Sequence, residues 1–501
     1  MNRRSFVKKS LITGSLPFWL QSCDLPGGRV KFPIEVQNDQ HVGHLVFESQ
    51  KWSHAGTEKL EVAIVGGGVA GLTAAYGLGN KDFRLFELSH RLGGSSASAS
   101  FEGISLCQGA HYDLEYPDYY GPEVLEFLEK LNIIHYEPWK RTWAFDEKDH
   151  YIPFHRRQQC FDQGQRRKDV MRNGPEKDRF LEIVTPYLGK MPLPTRLIDQ
   201  ETRDLDKISF LSFLQAQMPV SSELRRSLDY HMMDDYGGKT HEVSALAGVH
   251  YFACRPYYQQ PVNLFSPPSG NDYFIQKIVR HLASDKLQRN HLVNKIEGQK
   301  GNFRLEVLDI EKRRKKQFLA KEIIYAGQKH ALKYIYPAEY HWFEKNKYAP
   351  WMVINFIADQ LPGEFGFWQN EFLGDDSGFL GFIDSSTQRR ATLKNHRVFT
   401  AYYCLSPNHR EYLSAIPESK EKIVLETKEK IELMLGKKIT VKQALIHIMG
   451  HAMPVPFPGY LFRKSSNLSH ELIYAGVDCG RLPLIFEALD SGLMASKKAL
   501  S

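Results

Sequence analysis

Apolar positions along this chain fall into short unbroken runs and into stretches with helical spacing, and the switches between them mark its elements. Glu61-Val-Ala-Ile-Val65 is a short β-branched run, which predicts a buried strand over Val62 to Val65. Gly66-Gly-Gly68 interrupts it, and Leu72 to Leu78 then reads as a helix. Phe83-Arg-Leu-Phe86 predicts a second strand, ending in Glu87. After Gly270, apolar residues at 274, 275, 278, 279 and 282 have helical spacing. Strand-like runs follow at His291 to Ile296, Phe303 to Leu308 and Glu322 to Gly327, then at Asp376 to Asp384 and Val398 to Leu405. Glu418 to Leu435 predicts an exposed helix. Leu472 to Gly476 reads as a strand with a glycine turn, and Leu484 to Leu500 as the last helix. No internal repeat organises the chain.

Strand, glycine turn and helix at Gly66, Gly68 and Gly71 form the GxGxxG arrangement that binds dinucleotides. Gly66 permits the turn, Gly68 lets backbone approach a pyrophosphate, and Gly71 lets helix and strand pack closely. The helix N-terminus adds unpaired N–H groups and a positive dipole end. Glu87 falls where a carboxylate accepts hydrogen bonds from ribose hydroxyls, and an acid there disfavours a 2′-phosphate.

Beyond this point the motifs carry a resemblance. Glu87-Leu-Ser-His-Arg91-Leu-Gly93-Gly94 is similar to the ExxxRxGG continuation of the flavin amine oxidase and phytoene desaturase superfamily. Arg91 would pair with a phosphate, and Gly93 and Gly94 would let the chain pass close to the cofactor. Leu472 to Gly480 and the helix after it resemble the closing segment of that superfamily, which returns to the flavin. Asp478 stands where the family commonly has Glu, with Gly476 in the turn before it. Val293 matches the valine on the adenine side. Gly109 to Tyr112, Asp234 to Gly238, Ala247 to Phe252 and Tyr348 to Asn355 resemble exported amine-oxidase-like members of the superfamily.

The resemblance implies an α/β fold, a Rossmann-type FAD-binding domain interleaved with an α+β substrate domain. Residues 59–150, 241–334 and 446–501 would form the first, and 151–240 and 335–445 the second. FAD would be held non-covalently. Cys479 lies in the closing motif, where covalent attachment is the alternative to a buried inert thiol.

The N-terminus has its own pattern. Met1 to Gly14 resembles a twin-arginine export signal, with a basic start and a modest apolar stretch. Leu20-Gln-Ser-Cys23 resembles a lipobox, so residues 1–22 would be removed and Cys23 acylated. The partners implied are the twin-arginine export machinery and a bacterial membrane, with the body tethered on the periplasmic face. Residues 23–58 read as a linker holding one short strand, His44 to Phe47.

Composition trims the options. The chain has 501 residues, enough for two domains, with 42% hydrophobic and 25% charged residues. The net charge is +7, of which Arg3, Arg4, Lys8 and Lys9 supply four, so the remainder carries about +3. That excess does not indicate nucleic acid. Lys312-Arg-Arg-Lys-Lys316 lies between strand-like runs and reads as a solvated hairpin tip. The six cysteines are widely spaced without CxxC, so neither a metal site nor a disulfide framework is indicated.

A small-molecule substrate would need aromatic walls, a polar group for the amine and a carboxylate to recruit its cationic form. Asp234, Asp235 and Tyr236, His111 and Tyr112, His250 and Tyr251, Trp351 and His451 are the candidates. Each also reads as a structural group, and Asp234-Asp235 as a helix C-terminal loop. Many amine oxidases carry a lysine in the segment matching Trp351 to Phe356, and this chain has none there. Three functions therefore stand: an FAD-dependent oxidase or dehydrogenase of a primary or polyamine-like amine, a flavin desaturase or dehydrogenase of an isoprenoid or porphyrinogen-like substrate, and a flavin-bearing protein without turnover. Nothing in the chain names the electron acceptor.

Overall fold

A computed structural model describes residues 30–48, 52–109, 117–254, 263–361, 366–388, 396–462 and 471–501. Two large sheets are threaded by one chain. The seven-stranded sheet runs Leu287–Gln288, Phe83–Phe86, Ser53–Val65, Arg314–Tyr325, Asn302–Asp309, His291–Gln299, with Ile473–Tyr474 also on Arg314–Tyr325. Its centre is parallel. Ala63, Ile64, Leu85, Ile323 and Ile324 are wholly buried there, which is why the sequence shows unbroken apolar runs. The helix Val69–Leu78 covers one face and packs on the C-terminal helix Ile485–Leu500. A Cβ at Gly492 would lie 2.4 Å from the Ala70 carbonyl oxygen, so the helices touch backbone to backbone.

The eight-stranded sheet runs Ile34–Gln37, Val441–Pro454, Tyr348–Asp359, His396–Cys404, Phe379–Asp384, Gln369–Phe372, Gln158–Asp162, Gln165–Arg167. Alternation along Tyr348–Asp359 sends Met352, Ile354 and Phe356 to one face and Trp351 and Val353 to the other. The first face lies under the helix Ile416–Leu435. The second joins a core shared with the helices Ser222–Tyr236 and Ala245–Ala253.

Five expectations are corrected. His44–Phe47 is a 3₁₀ turn, and the strand of that region is Ile34–Gln37, which adds to the free edge of Val441–Pro454. The linker does not run to residue 58, because the first Rossmann strand starts at Ser53. Its outer half is solvent-facing and lacks an apolar signature. The helix read as exposed buries Ile423, Val424 and Ile431 against the second sheet. The last strand of the second sheet continues to Pro454, past the expected boundary at 445. The basic run turns at 310–313, while Lys315 and Lys316 already belong to Arg314–Tyr325.

Candidate cofactor and substrate site

The first glycine turn is built for close approach. Gly66 has φ 103°, and a Cβ on it would meet the Gly327 nitrogen at 2.8 Å. A Cβ on Gly71 would sit 1.9 Å from the Gly66 carbonyl oxygen. Gly68 caps the helix Val69–Leu78 with φ −75° and ψ −177°, and no side chain or first-turn acid covers the helix end. A Cβ there would find nothing nearer than the Gly93 oxygen at 4.0 Å. Gly93 and Gly94 run alongside with φ 117° and 57°, and the Gly93 N–H donates to the Gly67 carbonyl at 2.8 Å. Open space, uncapped amides and a dipole end make this an anion cradle.

Glu87 closes one side. Its carboxylate accepts from the Gly67 N–H at 2.6 Å and the Ser89 N–H at 2.8 Å. Burial pushes its pKa up from 4.5 to about 7 against those two donors. The His291 N–H donates to the Glu87 carbonyl at 2.8 Å, which brings in the strand His291–Gln299 and buries Val293 beside Val65 and Phe86. Arg91 is engaged by the chain itself: it donates to the Ser98 carbonyl and the Gln37 side chain, each at 3.0 Å, and to Gln108 at 2.5 Å. It ties the two-stranded hairpin Ser98–Phe101/Ile104–Cys107, which follows the glycine pair, to the edge strand Ile34–Gln37.

The closing turn comes from the far end of the chain. Gly476 has φ 123°, and its N–H donates to the Ser491 hydroxyl at 2.9 Å. Asp478 accepts from the Lys329 side chain at 2.9 Å, the Lys329 N–H at 2.8 Å and the Tyr348 hydroxyl at 3.0 Å. Sequence reasoning passed over Lys329, and it named Tyr348 only as the start of the segment Tyr348 to Asn355. The neighbouring Cys479 thiol is pushed up to about 11 by burial, which suits an inert thiol.

Among the residues read as pocket candidates, Asp234, Asp235 and Tyr236 are the last residues of the helix Ser222–Tyr236, ended by Gly237 at φ 67°. They are therefore the helix terminus itself rather than a loop beyond it. A Cβ on Gly237 would lie 2.5 Å from Ala349 Cβ, so this terminus abuts the strand that carries Trp351. Trp351 pairs in register with Cys404, and its ring lies 6.2 Å from Tyr402. Burial, and next the Asp234 charge, raise the Cys404 pKa. Asp234, Trp351 and Tyr402 thus share one region. Tyr236 is fully buried.

His250 and Tyr251 belong instead to the helical core, where the Tyr251 hydroxyl meets His231 Nδ1 at 2.9 Å. His451 stacks on His330 at 3.7 Å, beside Tyr348 and the closing turn. Burial lowers their pKa values to about 3 and about 4, so both are neutral. In the segment without a lysine, Asn355 is buried, donating to the Cys107 carbonyl at 2.9 Å and accepting from Thr400 at 2.8 Å. His111, Tyr112 and Cys23 lie outside the described residues. Among the described residues, no group of three His, Cys, Asp or Glu could hold a metal ion, and no helix is long and apolar enough to cross a membrane.

Residues 64–131 match a family model described as an NAD(P)-binding Rossmann-like domain. No curated protein matches the chain. Among solved structures, a redesigned putrescine oxidase is similar with TM-score 0.64 and 14% identity, covering 89% of this chain and 99% of that one. Cyclohexylamine oxidase from Brevibacterium oxydans follows at 0.62 and 15%, covering 88% and 98%. The chain has the fold of the flavin amine oxidases. A protein from Exiguobacterium sp. assigned as a protoporphyrinogen oxidase shares that fold, at 0.61 and 14%, covering 88% and 99%.

Proposed function

We propose that this protein is an FAD-dependent oxidoreductase that oxidises an amine. The observation that carries the reading is the cradle at Gly68: an open, uncapped helix end, flanked by Gly93–Gly94 and by the buried acceptor Glu87. These groups fit a dinucleotide, with the diphosphate at the helix end, ribose hydroxyls at Glu87 and adenine toward Val293. Bound flavin would supply the two-electron, hydride-accepting chemistry.

The chain's own groups would do the rest. Asp234 attracts the ammonium form of the substrate and lowers the cost of bringing it under Trp351 and Tyr402. The aromatic wall and the apolar face around Val353 exclude water. The solved neighbours named for putrescine and cyclohexylamine support an amine. A second reading, oxidation of a lipophilic substrate, draws on the Exiguobacterium neighbour and on buried Asn355 in the segment where many amine oxidases carry lysine.

The decisive experiment mixes the purified holoprotein anaerobically with amines and, separately, with isoprenoids and porphyrinogens, and follows bleaching of the flavin. Bleaching by amines is expected. Bleaching by lipophilic substrates alone would move the assignment to the second reading, and no bleaching except by dithionite would leave a flavin protein without turnover. We further propose export by the twin-arginine route and acylation at Cys23. Labelling with a radioactive fatty acid that Cys23→Ser abolishes would support it, and equal labelling of both would refute it.

A further inference from the structure

Two stretches of the chain share the tetrapeptide Ile-Tyr-Ala-Gly, at Ile324–Gly327 and Ile473–Gly476. They end adjacent parallel strands in matched register, Ile324 beside Ile473 and Tyr325 beside Tyr474. Two residues past each glycine lies a charge of opposite sign, Lys329 on one strand exit and Asp478 on the other. Register therefore sets the two charges face to face.

The contact is complete. Lys329 has no exposed surface. Its ammonium donates to Asp478 Oδ1 at 2.9 Å, the Ala475 carbonyl at 2.7 Å and the Gly327 carbonyl at 2.9 Å, which uses all three protons. Asp478 Oδ2 accepts from the Lys329 N–H at 2.8 Å and the Tyr348 hydroxyl at 3.0 Å. Two turns and the first residue of the substrate strand Tyr348–Asp359 thus meet at one carboxylate. The Gly327 side of the clamp touches the first glycine turn, through the close approach of Gly66. Burying an ammonium is costly, and an apolar pair of similar volume would often be as stable. The pair does what apolar residues cannot, by holding specific carbonyls of specific turns.

We propose that Lys329 is a positioning residue: it clamps the closing turn Ala475–Asp478 onto the exit turn Gly327–Lys329 and, through Asp478 and Tyr348, sets the substrate strand against the turns that receive the flavin. This role rests on the flavin reading above.

The test compares wild type, Lys329→Met, Asp478→Asn and the double variant as full chains. Three quantities are read: the dissociation constant for FAD, the midpoint potential of bound flavin, and amide hydrogen exchange over 473–480 in flavin-free protein. Lys329→Met leaves Asp478 buried without its cation, so FAD binding is expected to weaken at least tenfold, the potential to shift, and exchange to quicken at least tenfold. The double variant, with neither charge, is expected to recover part of each change. Lys329→Met with wild-type affinity and potential, or a double variant no better than the single one, overturns the role. Wild type that takes up no FAD overturns the flavin reading and the role with it, and the exchange data then report on the clamp alone. Should Lys329→Met not fold, Tyr348→Phe carries the test. It removes one hydrogen bond and is expected to quicken exchange over 475–478 severalfold and to alter the circular dichroism of bound flavin; no change in either overturns the role.

Discussion

Gly68→Ala separates binding from folding at a single atom. The backbone there is extended, with φ −75° and ψ −177°, which alanine adopts freely. The added methyl would meet nothing nearer than 4.0 Å in the ligand-free protein. Loss of glycine's unfolded-state freedom stabilises by about 0.4–1 kcal/mol, while alanine is a poorer helix cap by a similar amount. The two offset, so stability should stay within about 0.5 kcal/mol of wild type. The methyl nevertheless stands in the space assigned to the diphosphate. Forcing one methyl into a packed contact costs about 1–3 kcal/mol, which is about 5- to 150-fold in dissociation constant. Urea unfolding of flavin-free protein gives the first quantity, and titration with FAD followed by flavin fluorescence gives the second. A variant that binds FAD as tightly as wild type, or one that loses stability and binding together, refutes the placement of the diphosphate.

Gly71→Ala should behave oppositely: its Cβ would lie 1.9 Å from a backbone oxygen that cannot rotate away, so flavin-free protein should lose about 3 kcal/mol in urea unfolding, and an unchanged midpoint would contradict the packing. Glu87 predicts a pH effect. A carboxyl raised from 4.5 to about 7 on folding contributes stability that is complete below pH ~4.5 and lost as pH rises through ~7, about 3 kcal/mol in flavin-free protein. Glu87→Gln should lack that decline, and parallel stability–pH curves for the two proteins would refute it. Arg481 donates to Glu487 at 3.0 Å and to Asp490 at 2.7 Å, and both acids are fully buried. Arg196 still holds Asp490 at 2.9 Å when Arg481 is removed, so Arg481→Met leaves Glu487 as the buried acid without a cation and should cost about 3 kcal/mol; a loss below about 1 kcal/mol would show Glu487 to be neutral in the folded protein.

The parallel Rossmann core was legible because strands buried on both faces must be apolar throughout, as Val62 to Val65 and Phe83 to Phe86 are. Edges were less so. Ser53 to Glu58 pairs through backbone while its side chains face solvent, so no apolar pattern announced it. Ile34–Gln37 takes its place from a distant partner, Val441–Pro454, which local composition does not reveal. The glycines and Glu87 were readable because each answers a local backbone or charge requirement. Lys329 was not, since its partner lies 149 residues away. The repeated Ile-Tyr-Ala-Gly was the available signal, once two strands with the same ending are asked whether they lie side by side. Asp234 and Trp351 came together through a helix end and a sheet face whose meeting only the tertiary structure shows.

The central claim, that this chain carries FAD along its glycine turn, is tested most directly by the absorbance of freshly purified folded protein and of the supernatant after it is denatured. Equimolar FAD, released on denaturation and taken up again by the flavin-free chain, is the result expected. A folded, colourless chain that takes up none of the added FAD would contradict the account.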